Sequence, residues 1–196
     1  MKKDTLIVNL YGGPGTSKSS MMGGIFSSLK FKGVDAELVP EFAKDVTWET
    51  QIDGQRILNP DGTPFIGCLR NQIHIFGEQH HRLFRLIGNV DVIITDSPIL
   101  LQLCYNTNPL LNALIVDEHK KFNTLDIFLE RKKPYNPNGR SQNLQKAKEL
   151  DEKCKSILLE HSPTTYYYFD GLEDNIPPIV ESIIDRIKIN KLQTNG

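Results

Sequence analysis

The chain alternates short, nearly continuous apolar runs with longer stretches in which apolar residues recur every three or four positions. Leu6-Ile7-Val8-Asn9-Leu10 is the first run. It is β-rich and stops at Gly12-Gly13-Pro14-Gly15, so it reads as a buried strand entering a turn. From Ser19 to about Lys32 the apolar positions Met22, Ile25, Phe26 and Leu29 keep helical spacing, and Gly33 supplies a stop. Further strands are predicted at Ala36–Val39, Val90–Thr95, Leu125–Leu129 and Thr164–Phe169, with helices over Leu69–Ile87, about Gln142–Glu160, and Ile179–Ile189.

Strands that alternate with helices need crossover connections. The expected fold is α/β: a doubly wound, mainly parallel five-stranded sheet with helices on both faces. In such sheets ligands bind beyond the carboxyl ends of the strands, where Gly12, Glu41, Asp96 and Arg131 all fall. Residues 46–67 break the alternation and read as an insertion over the site, with Asp61-Gly62 as a turn between Ile57-Leu58 and Phe65-Ile66. The expected organisation is one domain over 1–190, with that insertion, a lid at 131–141 and a flexible tail at 191–196.

Composition narrows the class. With 39% hydrophobic and 24% charged residues in 196, the chain can bury a sizeable core and does not read as disordered. A formal net charge of −1 argues against bulk electrostatic coating of nucleic acid or membrane. Cys68, Cys104 and Cys154 are widely separated and odd in number, which points to a reducing compartment. No apolar run approaches the roughly 18 residues of a membrane span, and no secretory signal follows Met1-Lys2-Lys3, so a cytoplasmic location is expected.

The chemistry is concentrated between the first strand and helix. Gly12-Gly13-Pro14-Gly15-Thr16-Ser17-Lys18-Ser19 nearly matches G-x-x-x-x-G-K-[ST] and has the required strand and helix flanks. Gly13, Pro14, Gly15, Thr16, Ser17, Lys18, Ser19 and Ser20 are the candidate residues around the nucleotide, where backbone N–H groups can close on phosphate oxygens at the positive end of the helix dipole. Lys18 is expected to span the β- and γ-phosphates of ATP, and the Ser19 hydroxyl to ligate Mg²⁺. Ser17 departs from the pattern, because it places a Cβ where glycine is expected.

Asp96 ends the apolar run Val90–Thr95, where it can hold Mg²⁺ or polarise an acceptor hydroxyl. Glu41, after the second strand, can accept a proton from that hydroxyl or grip a sugar. Arg131-Lys132-Lys133-Pro134-Tyr135-Asn136-Pro137-Asn138-Gly139-Arg140 carries four positive charges and no negative ones. Arg131 and Arg140 are its candidate phosphate clamps, since guanidinium forks match phosphate oxygens. His74, His80 and His81 lack the i, i+4 spacing of a helical zinc site. Gln72 and Gln79, one heptad apart, could face an acceptor ring or solvent. Trp48 and Tyr166 to Tyr168 read as packing residues.

Taken together, Gly12 to Ser19, Glu41-Phe42-Ala43-Lys44, Asp96-Ser97-Pro98 and the basic segment 131–140 resemble the P-loop kinases that include the ribosylnicotinamide-kinase domain of NAD-salvage regulators. These NadR-like AAA domains are common among phage-encoded proteins. The resemblance spans about residues 5–190. It implies a thymidylate-kinase-like core, a mobile lid, Mg-ATP as donor and a small nucleoside-like acceptor: ribosylnicotinamide, a nucleoside or a nucleoside monophosphate. Kinases of this kind also act on hydroxymethyluracil in phage DNA. A nucleotide-binding regulator with weakened catalysis, marked by Ser17, is the alternative of a different class.

Overall fold

Leu6–Tyr11 (β1) is buried along its whole length at the centre of a five-stranded sheet. The structure is a computed structural model and describes residues 4–49, 51–52, 55–56, 70–134, 143–162 and 166–194. The other strands of this sheet are Ala36–Val39 (β2), Val92–Thr95 (β5), Thr124–Glu130 (β6) and Tyr166–Asp170 (β7). They lie in the order β2-β5-β1-β6-β7, and every pairing is parallel. Between β2 and β5 a separate antiparallel pair joins Gln51–Ile52 (β3) to Gln55–Arg56 (β4). The expected doubly wound α/β architecture is therefore present, with the main sheet parallel throughout.

The alternation of side chains along β1 divides the core into two layers. Leu6, Val8 and Leu10 pack with Met21, Met22, Ile25 and Leu29 of helix Lys18–Phe31 (α1) and with Ile179, Val180 and Ile183 of helix Ile176–Thr194 (α6). Gly24 lets these two helices meet, because a Cβ there would collide with Ile176 Cδ1. Ile7 and Tyr11 point the other way. They join Phe76 and Leu83 of helix Gln72–Phe84 (α3), a 3-10 helix at Ile99–Cys104, Leu111 and Ile115 of helix Pro109–Lys120 (α4), and Ile157 and Leu158 of helix Leu144–His161 (α5).

Asn9 shares this second face, and its polarity is matched across the sheet. Its Nδ2 donates to Asp126 Oδ1 at 2.7 Å, while His119 Nε2 lies 3.5 Å from Asp126 Oδ2 and 3.2 Å from Ser162 Oγ. A carboxylate fully enclosed in a core needs such partners to offset its desolvation. Burial pushes the Tyr11 phenol well above its ordinary pKa, with the neighbouring Asp126 carboxylate acting in the same direction.

The differences from the sequence expectations lie between the strands. Phe42–Glu49 is a helix (α2), and its last turn, from Val46, takes up the start of the expected insertion. The turn expected at Asp61-Gly62 lies outside the described residues. Pro109 opens α4 at its first turn, and the Asn108 side chain accepts from the N–H groups of Leu110 and Leu111. Proline fits there because a first-turn N–H has no helical partner to lose. The same logic lets α6 begin before Pro177 and Pro178, and it runs to Thr194, beyond the 190 boundary. Among the described residues, no helix is long and apolar enough to cross a membrane.

Candidate active site

The phosphate loop is built by conflicting demands on adjacent residues. Gly12 has φ 137° and Gly15 φ 89°, values that side chains with a Cβ rarely adopt. Thr16 is buried; its hydroxyl donates to the Gly13 carbonyl at 3.1 Å and so closes the turn. Ser17, at the N-cap of α1, adopts φ 69° and ψ 16° and is the only non-glycine residue with positive φ among the described residues. The loop thus keeps the left-handed conformation that the pattern's glycine supplies freely, and serine carries the steric cost. Its side chain makes no capping hydrogen bond in return.

Lys18 folds back over the loop, donating from Nζ to the carbonyls of Gly12 at 2.6 Å and Gly13 at 3.1 Å. Ser19 is the next residue, and its hydroxyl donates to Asp96 Oδ2 at 2.5 Å. Asp96 is 4% exposed, and its second oxygen accepts the Glu41 backbone N–H at 3.1 Å. One carboxylate therefore joins the start of α1 to the segment after β2. A serine hydroxyl and a carboxylate side by side are hard oxygen donors, which suit Mg²⁺. Ser20 follows on the exposed side of α1.

Glu41 is held from both directions. Phe42 N–H donates to Gln79 Oε1 at 2.9 Å, while Gln79 Nε2 reaches the Pro40 carbonyl and Thr95 Oγ1, each at 3.5 Å. Gln79 is 1% exposed, so it faces neither an acceptor nor solvent: it fixes the backbone on either side of Glu41. Desolvation is the main cause that raises the Glu41 pKa, and the Asp96 carboxylate adds to it; Lys18 opposes both.

Arg131 leaves β6 and turns onto the outer side of the phosphate loop. Its Nη1 donates to the Pro14 carbonyl at 2.7 Å, and its Nε and Nη2 grip Asp151 Oδ2 and Oδ1 at 2.9 and 3.1 Å. Asp151 Oδ1 also accepts the Gly13 N–H at 2.6 Å. Arg140 lies outside the described residues, as do residues 135–141 of the expected lid.

Sequence patterns missed Asp151 and Gly171, and pointed to Gln79 for an acceptor ring or solvent rather than for the backbone it holds. A usable signal existed for the first: Asp151 lies within the buried stripe of α5 formed by Ala147, Cys154, Ile157 and Leu158, and an acid at a core position calls for a partner. Gly171 follows β7, where a Cβ would collide with the Thr16 carbonyl and lie 3.1 Å from the Glu130 carbonyl. Cys104 and Cys154, 50 positions apart, are brought together beneath the loop with their sulfurs 3.7 Å apart. The hydrogen bond with Cys104 is the main cause that lowers the Cys154 pKa, and the charge of Lys18 and the Gly12 N–H add to it against desolvation.

No protein-family model matches the sequence, and no curated protein matches it. Solved structures do match. One, titled as the crystal structure of NadR protein in complex with NR, superposes with a TM-score of 0.66 at 14% identity, over 91% of this chain and 51% of that one. The chain thus spans about half the length of that protein. With a strand order of 2-3-1-4-5 when the five strands of the main sheet are counted alone, and a phosphate-loop sequence after the first strand, the chain has an α/β fold typical of P-loop NTPases and similar to that of NadR.

Proposed function

We propose that the chain is an ATP-dependent kinase that transfers the γ-phosphate to a hydroxyl of a nucleoside-like acceptor. The observation that carries this reading is the double engagement of Asp96 by Ser19 Oγ and by the Glu41 N–H. It draws the end of the phosphate loop, a strand-end acid and the backbone of a second acid together. A kinase needs a group that takes the acceptor's proton, and a second, desolvated acid beside the first supplies one.

In this reading the loop amides and the N-terminus of α1 bind the ATP phosphates. Lys18 exchanges the carbonyls of Gly12 and Gly13 for the β- and γ-phosphate oxygens. Ser19 and Asp96 would hold Mg²⁺, which neutralises charge on the transferring group. Glu41 takes the proton from the acceptor hydroxyl as its oxygen bonds to the γ-phosphorus. The bond from that phosphorus to the β,γ-bridging oxygen breaks, and ADP leaves. The raised Glu41 pKa makes it a stronger base than an ordinary glutamate. The likeness to NadR supports a ribosylnicotinamide or nucleoside acceptor, with Arg140 as a candidate clamp from the basic segment.

The test is incubation with Mg-ATP and a panel of nicotinamide riboside, nucleosides, nucleoside monophosphates and hydroxymethyluracil-containing DNA, with Lys18→Ala as the control. Mass spectrometry should find one small acceptor heavier by a phosphate in the wild type and not in the control. Phosphorylated DNA alone would replace the acceptor class. Tight ATP binding with no phosphorylated product would move the reading to a nucleotide-binding regulator.

A further inference from the structure

Residues 132–142 are bracketed by Arg131 and by the N-cap of α5 at Asn143, and both flanks send a side chain to the same place. Arg131 reaches the Pro14 carbonyl from one flank; two turns into α5, Asp151 accepts the Gly13 N–H from the other. The two side chains then pair with each other, with Arg131 Nη2 also 2.9 Å from Asp151 Oδ2. Both are about nine-tenths buried, at 10% and 11% side-chain exposure.

Gly13 gives a second, independent indication. Its backbone has no positive φ, and the phosphate-loop pattern accepts any residue there. A Cβ at this position would nevertheless lie 2.6 Å from both the Ala147 carbonyl and Asp151 Oδ1. Glycine is required because α5 lies directly on the loop. The contact is also electrostatically deliberate. An acid beside a phosphate site would repel the nucleotide, and the bidentate guanidinium neutralises it while Oδ1 accepts the loop amide as well as Arg131 Nη2.

We propose that Asp151 is a positioning residue for nucleotide binding: paired with Arg131, it braces the phosphate loop from its outer side at Gly13 and Pro14. This rests on the reading of residues 12–19 as a nucleotide-phosphate site. The brace also links the loop to both flanks of segment 132–142, so the loop's shape and the placement of those flanks are set together.

Titration of Mg-ATP into the whole protein, alongside thermal unfolding without nucleotide, tests the brace. The variants are Asp151→Ala, Arg131→Ala, the double variant and Asp151→Asn. Asp151→Ala should raise the ATP Kd about tenfold or more, as expected for loss of a charge-assisted contact. Arg131→Ala should do likewise, and the double variant should be no weaker than the worse single one, because the two act as a unit. Asp151→Asn keeps an acceptor for Gly13 but loses the ion pair, so its Kd should rise by at least about threefold. Should Asp151→Ala not fold, Asp151→Asn decides the question.

The proposal is overturned if these variants lower the unfolding temperature but leave the ATP Kd within twofold of wild type, since the ion pair would then be structural only. It is also overturned if the losses multiply in the double variant. Wild-type protein that binds no ATP would overturn the nucleotide reading and the brace with it. Wild-type binding matched by every variant would overturn the brace alone.

Discussion

Ser17→Gly should stabilise the protein, although glycine substitutions usually do the reverse. Ser17 has φ 69° and ψ 16°, and its hydroxyl forms no cap bond, so serine contributes strain without a compensating contact. Holding a Cβ in the left-handed region costs roughly 1–2 kcal/mol. Glycine removes that cost but gains freedom in the unfolded chain, which returns about 0.5–1 kcal/mol. The net expectation is a gain centred on ~0.7 kcal/mol and at most about 1.5 kcal/mol, or ~1–3 °C in Tm at the centre for a chain of this size. Ser27→Gly, at an exposed interior position of α1, is the control. It shares the unfolded-state effect without any relief of strain and should lose about 0.5 kcal/mol. Ser17→Ala keeps both the Cβ and the conformation and should stay within about 0.5 kcal/mol of wild type. Urea unfolding with linear extrapolation compares the three at constant m. If Ser17→Gly loses stability in step with Ser27→Gly, the loop strain inferred from its backbone angles does not exist.

Two other perturbations probe the site directly. Desolvation and Asp96 raise the Glu41 pKa, so the acid limb of phosphoryl transfer should fall at a higher pH than an ordinary glutamate gives. Glu41→Gln should abolish that limb and lower kcat by about 10²–10⁴-fold, and a pH–rate profile with the limb intact would remove Glu41 as the base. The same shift sets a sign for stability: the folded state holds this proton more tightly than the unfolded one. Stability from this group is therefore full below the unfolded pKa and falls as pH rises through the folded one. Gly171→Ala places a methyl group against the Thr16 and Glu130 carbonyls, which are backbone and cannot swing aside. It should cost about 1–3 kcal/mol in denaturant unfolding and weaken ATP binding, whereas unchanged affinity would separate the end of β7 from the loop's function.

Elements in which one local signal dominates were legible in the sequence. β1 is apolar but for Asn9 because both its faces are buried, and α1 carries its stripe from Met21 to Leu29 against the same sheet. The parallel sheet follows from strands separated by helix-length segments. α2 and α4 were not legible, for different reasons. α2 is eight residues long with Val46 as its one buried position, too little to define a period. In α4, buried Leu111, Ile115 and His119 keep an i, i+4 spacing, but the exposed Leu110 and Leu114 blur the face they mark.

The candidate site divides along similar lines, and the division explains what a motif can and cannot report. Lys18, Ser19, Asp96 and Glu41 were legible because each occupies a fixed position relative to the end of a strand, and strand ends are visible in the chain. What supports them is set by packing between distant segments: Gln79 acts on Glu41 across 37 positions or more, and Asp151 on Gly13 across 138. No local spacing encodes such pairs. Their mark in the sequence is a residue that looks misplaced, as with an acid in the apolar stripe of α5 or a second glycine at a tolerant position of the phosphate loop. Arg131 shows the converse. Its type and place match a phosphate clamp, yet its guanidinium meets Asp151 and the Pro14 carbonyl, and only the folded chain reveals that the charge a motif would assign to substrate is already engaged by protein.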